Sequence, residues 1–354
     1  MIKAGSLKKG FSRPETFSYL FMVGVLAAVV GLRLAAPLLA ALFAYLALTK
    51  LELPRRGGRW FAVLVVLVLL SAAAYGLGYF VKQTVRSLPE IADKSIPSIL
   101  AWARQNNIEL PFTDYDSLRD VALDSVKGEA QYLGSFAKFA RTATTETVLL
   151  LAGCVAAMSL FLNRKFQPGY EDGSGANLYA VCWEQVMRRF GTLYSSFVTV
   201  MGAQLIISAI NTALTAVFVV VMHLPYAVVI VGVTFLCGLL PVVGNLISNT
   251  IVVAVGFTVS PRMALVALVF LVVIHKLEYI LNSKIVGWRI HNPLWLTLLA
   301  LIVGERLLGI AGLILAPVVL NYIRLEAMAI PASRAPGPGA QAPEPEFVSA
   351  GDQP

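Results

Sequence analysis

Charge is scarce in this sequence. Of its 354 residues, 14% are Asp, Glu, Lys or Arg, against about 25% in soluble domains. A water-soluble chain of this length must alternate core and surface positions. This one instead has long stretches without any charge, which excludes an ordinary soluble globular fold. Cysteine and histidine are equally rare, three of each. No C-x-x-C and no zinc-like histidine spacing occurs, so neither a metal site nor a disulfide framework is expected. Cys154 and Cys237 read as small apolar residues of membrane helices, and Cys182 as a loop or interface residue. Walker loops, H-E-x-x-H, G-x-S-x-G and a cysteine–histidine constellation are all missing. The expectation is a protein that is not an enzyme and carries no cofactor. With no nucleotide site, any transport is passive or driven by an ion gradient.

Apolar residues make up 58% of the chain, and the mean hydropathy is +0.75. They gather in runs long enough to cross a bilayer, which takes about 20 residues. The predicted fold is all-α: a polytopic membrane helix bundle of about eight apolar segments, with a soluble helical insert between spans three and four. The net charge is +8, but the basic residues sit beside apolar runs. They point to membrane lipid headgroups and not to nucleic acid.

Along the chain, a basic N-terminus (1–16) leads into three spans (17–81). It resembles a signal peptide, but apolar sequence resumes directly after Arg33, so an uncleaved helix is expected. The first two runs are split near Arg33 and Pro37, and the third, Trp60 to Val81, is free of charge. Residues 82–145 carry eight basic and eight acidic side chains and three prolines, the mark of an extracytoplasmic soluble insert. Within it, Ser117 and Asp120 form a capping box opening an amphipathic helix to about Ala140. A fourth span (146–163) follows, then a cytoplasmic loop (164–189) whose end, 178–189, reads as an amphipathic helix. The core (190–323) comes next. The tail (324–354) holds six prolines after residue 330 and predicts disorder.

Placing the Lys- and Arg-rich loops inside puts both termini in the cytoplasm. The uncharged run Leu224 to Pro261 is 38 residues long. As one helix it would measure about 57 Å, against a hydrocarbon core of about 30 Å, so it must fold back. "GLLPVVGNLISN" supplies the breakers, Pro241 and Gly244. That corner is expected at the cytoplasmic end of its helix pair or part-way into the bilayer.

Polar residues inside such sequence are the candidate site. Asn245 and Asn249 share a helical face just after the break. Either they line a pathway or they finish a tight surface turn. Gln204, Ser208, Asn211 and Thr215 form one stripe, read either as interhelical glue or as pathway lining. His275, Lys276 and Glu278 are ionisable groups in an apolar run, with His275, Glu278 and Asn282 on one face. They relay protons or bind a cation, or else mark where the helix emerges. The run 292–323 is a hairpin that either spans or re-enters, with Glu305 and Arg306 at its turn.

Several blocks also resemble the autoinducer-2 exporter family of permeases. They are "RRFGTLYSSFVTVMGAQLIISAINTAL" with Gly202 and Gln204, the Pro–x–x–Gly break of "GLLPVVGNLISN", and "HKLEYILNSKIVGWRIHNPLWLTLLALIVGERLLGIAGLILAPVVLNYI" with Glu278, Gly304, Gly309, Gly312 and Pro317. The resemblance implies a multi-pass protein of the bacterial inner membrane. It also implies a homo-oligomer, a pentamer being one form open to it, and export of a small polar solute such as autoinducer-2. Sodium/proton antiport is the alternative, with H⁺ or Na⁺ as partner. A scaffold or channel subunit using the 82–145 insert is the reading from another class.

Overall fold

The computed structural model describes residues 13–54, 57–108, 136–163, 177–240, 243–285 and 293–330. Every element among them is helical: α1 (Arg13–Gly31), α2 (Ala35–Leu51), α3 (Gly58–Gln105), α4 (Phe136–Leu162), α5 (Leu178–Val221), α6 (Ala227–Gly238), α7 (Val243–Val259), α8 (Pro261–Ile285) and α9 (Leu294–Met328). Several expectations lie outside the described residues. They are the basic N-terminus before residue 13, the Ser117 capping box and most of its helix, the loop 164–176, Pro241, and the tail from 331.

α1, α3, α5 and α9 have membrane-crossing length and hydropathy. α9, however, consists of two arms. Gly309 interrupts it at φ 61° and ψ −142°, a conformation that only glycine adopts freely. A Cβ on Gly304 would lie 2.6 Å from the Gly312 carbonyl and 2.9 Å from the Ala316 Cβ. Residues eight and twelve positions apart meet this way only if the chain doubles back. The expected hairpin is therefore present, but it turns at Gly309. Glu305 and Arg306 lie on the first arm, exposed and 3.8 Å from each other.

α3 differs from its reading in another way. The change from apolar to charged sequence at residue 82 is not a change of element, because one helix of 48 residues runs through Pro89 and Pro97. At about 1.5 Å per residue it is about 72 Å long. In its second half Ser87, Ile91 and Ser95 are buried at four-residue spacing, one face of a helix. Ile91 joins a core of Phe218, Val219, Ile230, Val252 and Val255, and Trp102 meets Phe257 edge-on at 6.1 Å. At the edge of that face Lys94 bonds Glu90 at 2.7 Å and Tyr226 at 3.3 Å, tying the α5–α6 turn to the rod. The bond to Lys94 lowers the Glu90 carboxyl pKa, and its counterpart raises that of the ammonium.

α5 is also longer than expected. It starts at Leu178, capped by the Asn177 side chain accepting from the Ala180 N–H at 2.8 Å, and runs unbroken past Arg189 to Val221. A second core packs α1, α2, α5 and α9 around Met22, Leu39, Phe197, Met201 and Val318. α2 and α4 approach closely at Gly153, where any Cβ would overlap the Pro37 carbonyl. Large apolar side chains such as Trp60, Leu64 and Val68 of α3 and Leu265, Val269 and Val273 of α8 face outward. Faces this apolar are stable against lipid, not water.

Candidate functional site

The 38-residue uncharged run folds back as the length argument requires. α6 has 12 residues, about 18 Å of helix, too short for a hydrocarbon core of about 30 Å. It ends at Gly238, and α7 starts at Val243. A helix end leaves carbonyls without partners, and in an apolar setting each must find one. Two residues of the α5 stripe supply them. Gln204 Nε2 donates to the Gly238 carbonyl at 2.6 Å, and Ser208 Oγ donates to the Phe235 carbonyl at 2.8 Å. Gly238 is needed because a Cβ there would sit 2.5 Å from Ser208 Oγ. Gly244 is needed more strictly, since its Cβ would overlap the Cys237 carbonyl. The corner is thus lined by α5 and by its own two arms.

Asn245 follows at the start of α7. Its Nδ2 donates to both carboxylate oxygens of Glu278 on α8, 2.8 Å each. The register that joins them is set at the other end of the α7–α8 hairpin. There a Cβ on Gly256 would be 2.7 Å from the Ala264 Cα, so the two backbones touch. Counting eleven residues from that contact along each helix brings residue 245 level with residue 275, and Asn245 reaches Glu278 one turn further along α8. Asn245 and Glu278 are both half-buried. Asn249, one turn on, is half-buried as well. His275 and Lys276 are exposed, and no hydrogen bond or ion pair among the described residues joins either to the pair. Asn282 lies in α8, and its side chain is outside the described residues. Asn211 and Thr215 complete the α5 stripe as buried residues, and Asn211 Oδ1 has no hydrogen-bond partner among the described residues.

Replacing Gln204 by leucine removes the Gly238 carbonyl's partner while keeping the side-chain volume. The expected loss is about 1–3 kcal/mol of stability, read as a lower melting temperature of the purified protein in detergent.

One polar cluster escaped the reading of the sequence. Arg189 of α5 and Glu326 of α9 form an ion pair, with side-chain exposures of 4% and 8%. Arg189 also donates to Ser18 Oγ at 3.4 Å and lies over the Tyr19 ring at 4.0 Å. Tyr19 OH donates to Glu326 at 3.4 Å. The cluster fastens α1, α5 and α9 together at one end of the bundle. The signal was available: Arg189 shares a helical face with the buried Val186 and Leu193, whereas Arg188 faces outward.

Distances along the bundle relate the two broken hairpins. Gln204 lies 15 residues beyond Arg189, about 22 Å up α5. Gly309 lies 17 residues before Glu326, about 25 Å up α9. The arms of α6–α7 extend away from the Arg189 end, and those of α9 extend toward it. Two glycine corners of opposite polarity therefore occupy the same height.

Comparison with known proteins adds the family. A model described as "AI-2E family transporter" matches residues 16–325. The chain is 32% identical over 129 residues to "Putative transport protein YdbI" of Bacillus subtilis (strain 168), a match covering 36% of this chain and 37% of that protein. It is 24% identical over 275 residues to "Putative transport protein MT0215" of Mycobacterium tuberculosis (strain CDC 1551 / Oshkosh), covering 72% of this chain and 71% of the relative.

Proposed function

This chain belongs to the AI-2E transporter family, and on that premise we propose that it is a permease exporting a small polar molecule of the autoinducer-2 kind from a bacterial cell, with its site at the α6–α7 corner. Membership makes it a multi-pass membrane transport protein. The proposal adds the cytoplasmic membrane, both termini on the cytoplasmic side, a solute rather than a chemical reaction, and coupling to an ion gradient. The basic loops support that orientation.

The observation that carries the site is the Asn245–Glu278 pair beside the broken helix. Even a half-buried carboxylate in an apolar bundle is costly, and a broken helix exposes backbone dipoles that a polar solute can use.

The test is flux into proteoliposomes of the purified protein. Glu278→Gln and Asn245→Ala are each expected to lower it by roughly ten- to a hundredfold. That is the rate equivalent of losing a hydrogen bond to a charged group, about 1.5–3 kcal/mol. Unchanged flux of labelled autoinducer-2 and of other small polar solutes in both variants would place the site elsewhere.

A second reading has its own support. A carboxylate offers about four lone-pair sites, and Asn245 Nδ2 engages one on each oxygen. The remaining sites suit a cation, with H⁺ competing for the same oxygens. Sodium-driven proton movement in vesicles, lost in Glu278→Gln, would favour antiport over solute export.

A further inference from the structure

A groove of about 610 Å³ runs between the last turns of α2 and the middle of α5, apart from the corner and from Glu278. Phe43, Leu46 and Ile206 form its apolar walls, and Lys50 stands at one end. The Thr199 hydroxyl on the wall is satisfied by the Ser195 carbonyl at 2.9 Å. Lys50 is exposed and has no ion pair or hydrogen bond among the described residues. Nothing lies within 4 Å of the position a Cβ on Gly202 would take, so the floor is open.

From Val198 to Ile206 the groove follows nine residues of α5, a rise of about 12 Å. One leaflet of the hydrocarbon core is about 15 Å deep. A trough as deep as one leaflet, apolar along its length and cationic at one end, matches a molecule with an acyl chain and an anionic head. We infer that this groove is a binding site for an anionic phospholipid, its chain along Gly202 and Ile206 and its phosphate at Lys50. A free phosphate would leave the apolar walls unused. The inference needs only that the chain resides in a membrane and stands apart from the solute site.

Native mass spectrometry of the full-length protein in detergent tests it, with phosphatidylglycerol and phosphatidylcholine of identical acyl chains. Wild type is expected to retain phosphatidylglycerol about fivefold better, the worth of one lysine at an anionic surface. Lys50→Gln should erase that preference and leave phosphatidylcholine unaffected. Gly202→Phe, which fills the floor, should reduce the binding of both lipids. Lys50→Gln decides the matter even if Gly202→Phe fails to fold. Equal binding of the two lipids by wild type, or a preference that survives Lys50→Gln, overturns the inference. So does release of phosphatidylglycerol by inorganic phosphate, which would mean a soluble-anion site. A changed oligomer mass in Gly202→Phe without loss of lipid would assign the groove to a second copy of the chain, and overturns it too.

Discussion

Arg189→Ala is expected to destabilise the protein by about 3–5 kcal/mol, because it strands the Glu326 carboxylate in a buried site. Glu326 has no other cation bonded to it among the described residues, and its Oε1 already lacks a hydrogen-bond partner. The Tyr19 hydroxyl, at 3.4 Å, is a weak substitute. Glu326→Ala should cost a similar amount by stranding the guanidinium, although the Tyr19 ring beneath it recovers part of the loss. The informative variant is the double one. Replacing the pair by methionine and leucine removes both desolvation costs, and in buried pairs such changes are neutral or even favourable by about 1–4 kcal/mol. Thermal unfolding of the four proteins in detergent gives the comparison. If the pair serves only to hold α1, α5 and α9 together, the double variant regains wild-type stability and flux. Regained stability with lost flux would show that the charges themselves take part in transport.

Gly244→Ala should produce the largest effect of any single methyl group in the molecule. The added carbon overlaps the Cys237 carbonyl, and a backbone carbonyl cannot rotate out of the way as a side chain would. Overpacking of this kind costs about 1–3 kcal/mol. The strain can be relieved only by separating α6 from α7, which draws the α6 end away from Gln204 and Ser208. Cys237, half-buried beside the corner, reports the opening. In a background without Cys154 and Cys182, its maleimide labelling is expected to quicken by roughly five- to a hundredfold, the equivalent of that cost. Flux should fall with it. Gly202→Ala meets no atom within 4 Å, and is the matched control. Equal labelling of the two variants would show that the corner tolerates the intrusion.

How far the sequence reached depended on the kind of physics involved. Length against bilayer thickness required a break in residues 224–261, and glycine and proline marked the place. Asn245 and Glu278 were both legible as candidates, one by its amide after a break and one by its charge in an apolar run. Their pairing was not legible, because it depends on the register of α7 against α8, which the contact at Gly256 and Ala264 fixes from the far end of the hairpin. Sequence proximity drew Glu278 toward His275, three residues away, yet His275 stays exposed while Glu278 turns to Asn245. The α9 turn was read from its charges when the deciding residue was Gly309, whose backbone only a glycine can hold. In α3, prolines and charges read as the end of a helix. The alternation of Ser87, Ile91 and Ser95 with exposed Glu90 and Lys94 carried the better signal, a helix changing its surroundings without changing its backbone.

The unbroken course of α3 makes it a lever. Its apolar half, 22 residues from Trp60 to Val81, is about 33 Å long and sits in a bilayer core of about 30 Å with a modest tilt. Its charged half is rigidly joined to that segment, and near its end Trp102 rests on Phe257 of α7. A change of a few degrees in tilt, such as a thinner or thicker membrane imposes, moves Trp102 by several ångströms. The strut that carries the Gly244–Asn245 corner would therefore feel the thickness of the surrounding lipid.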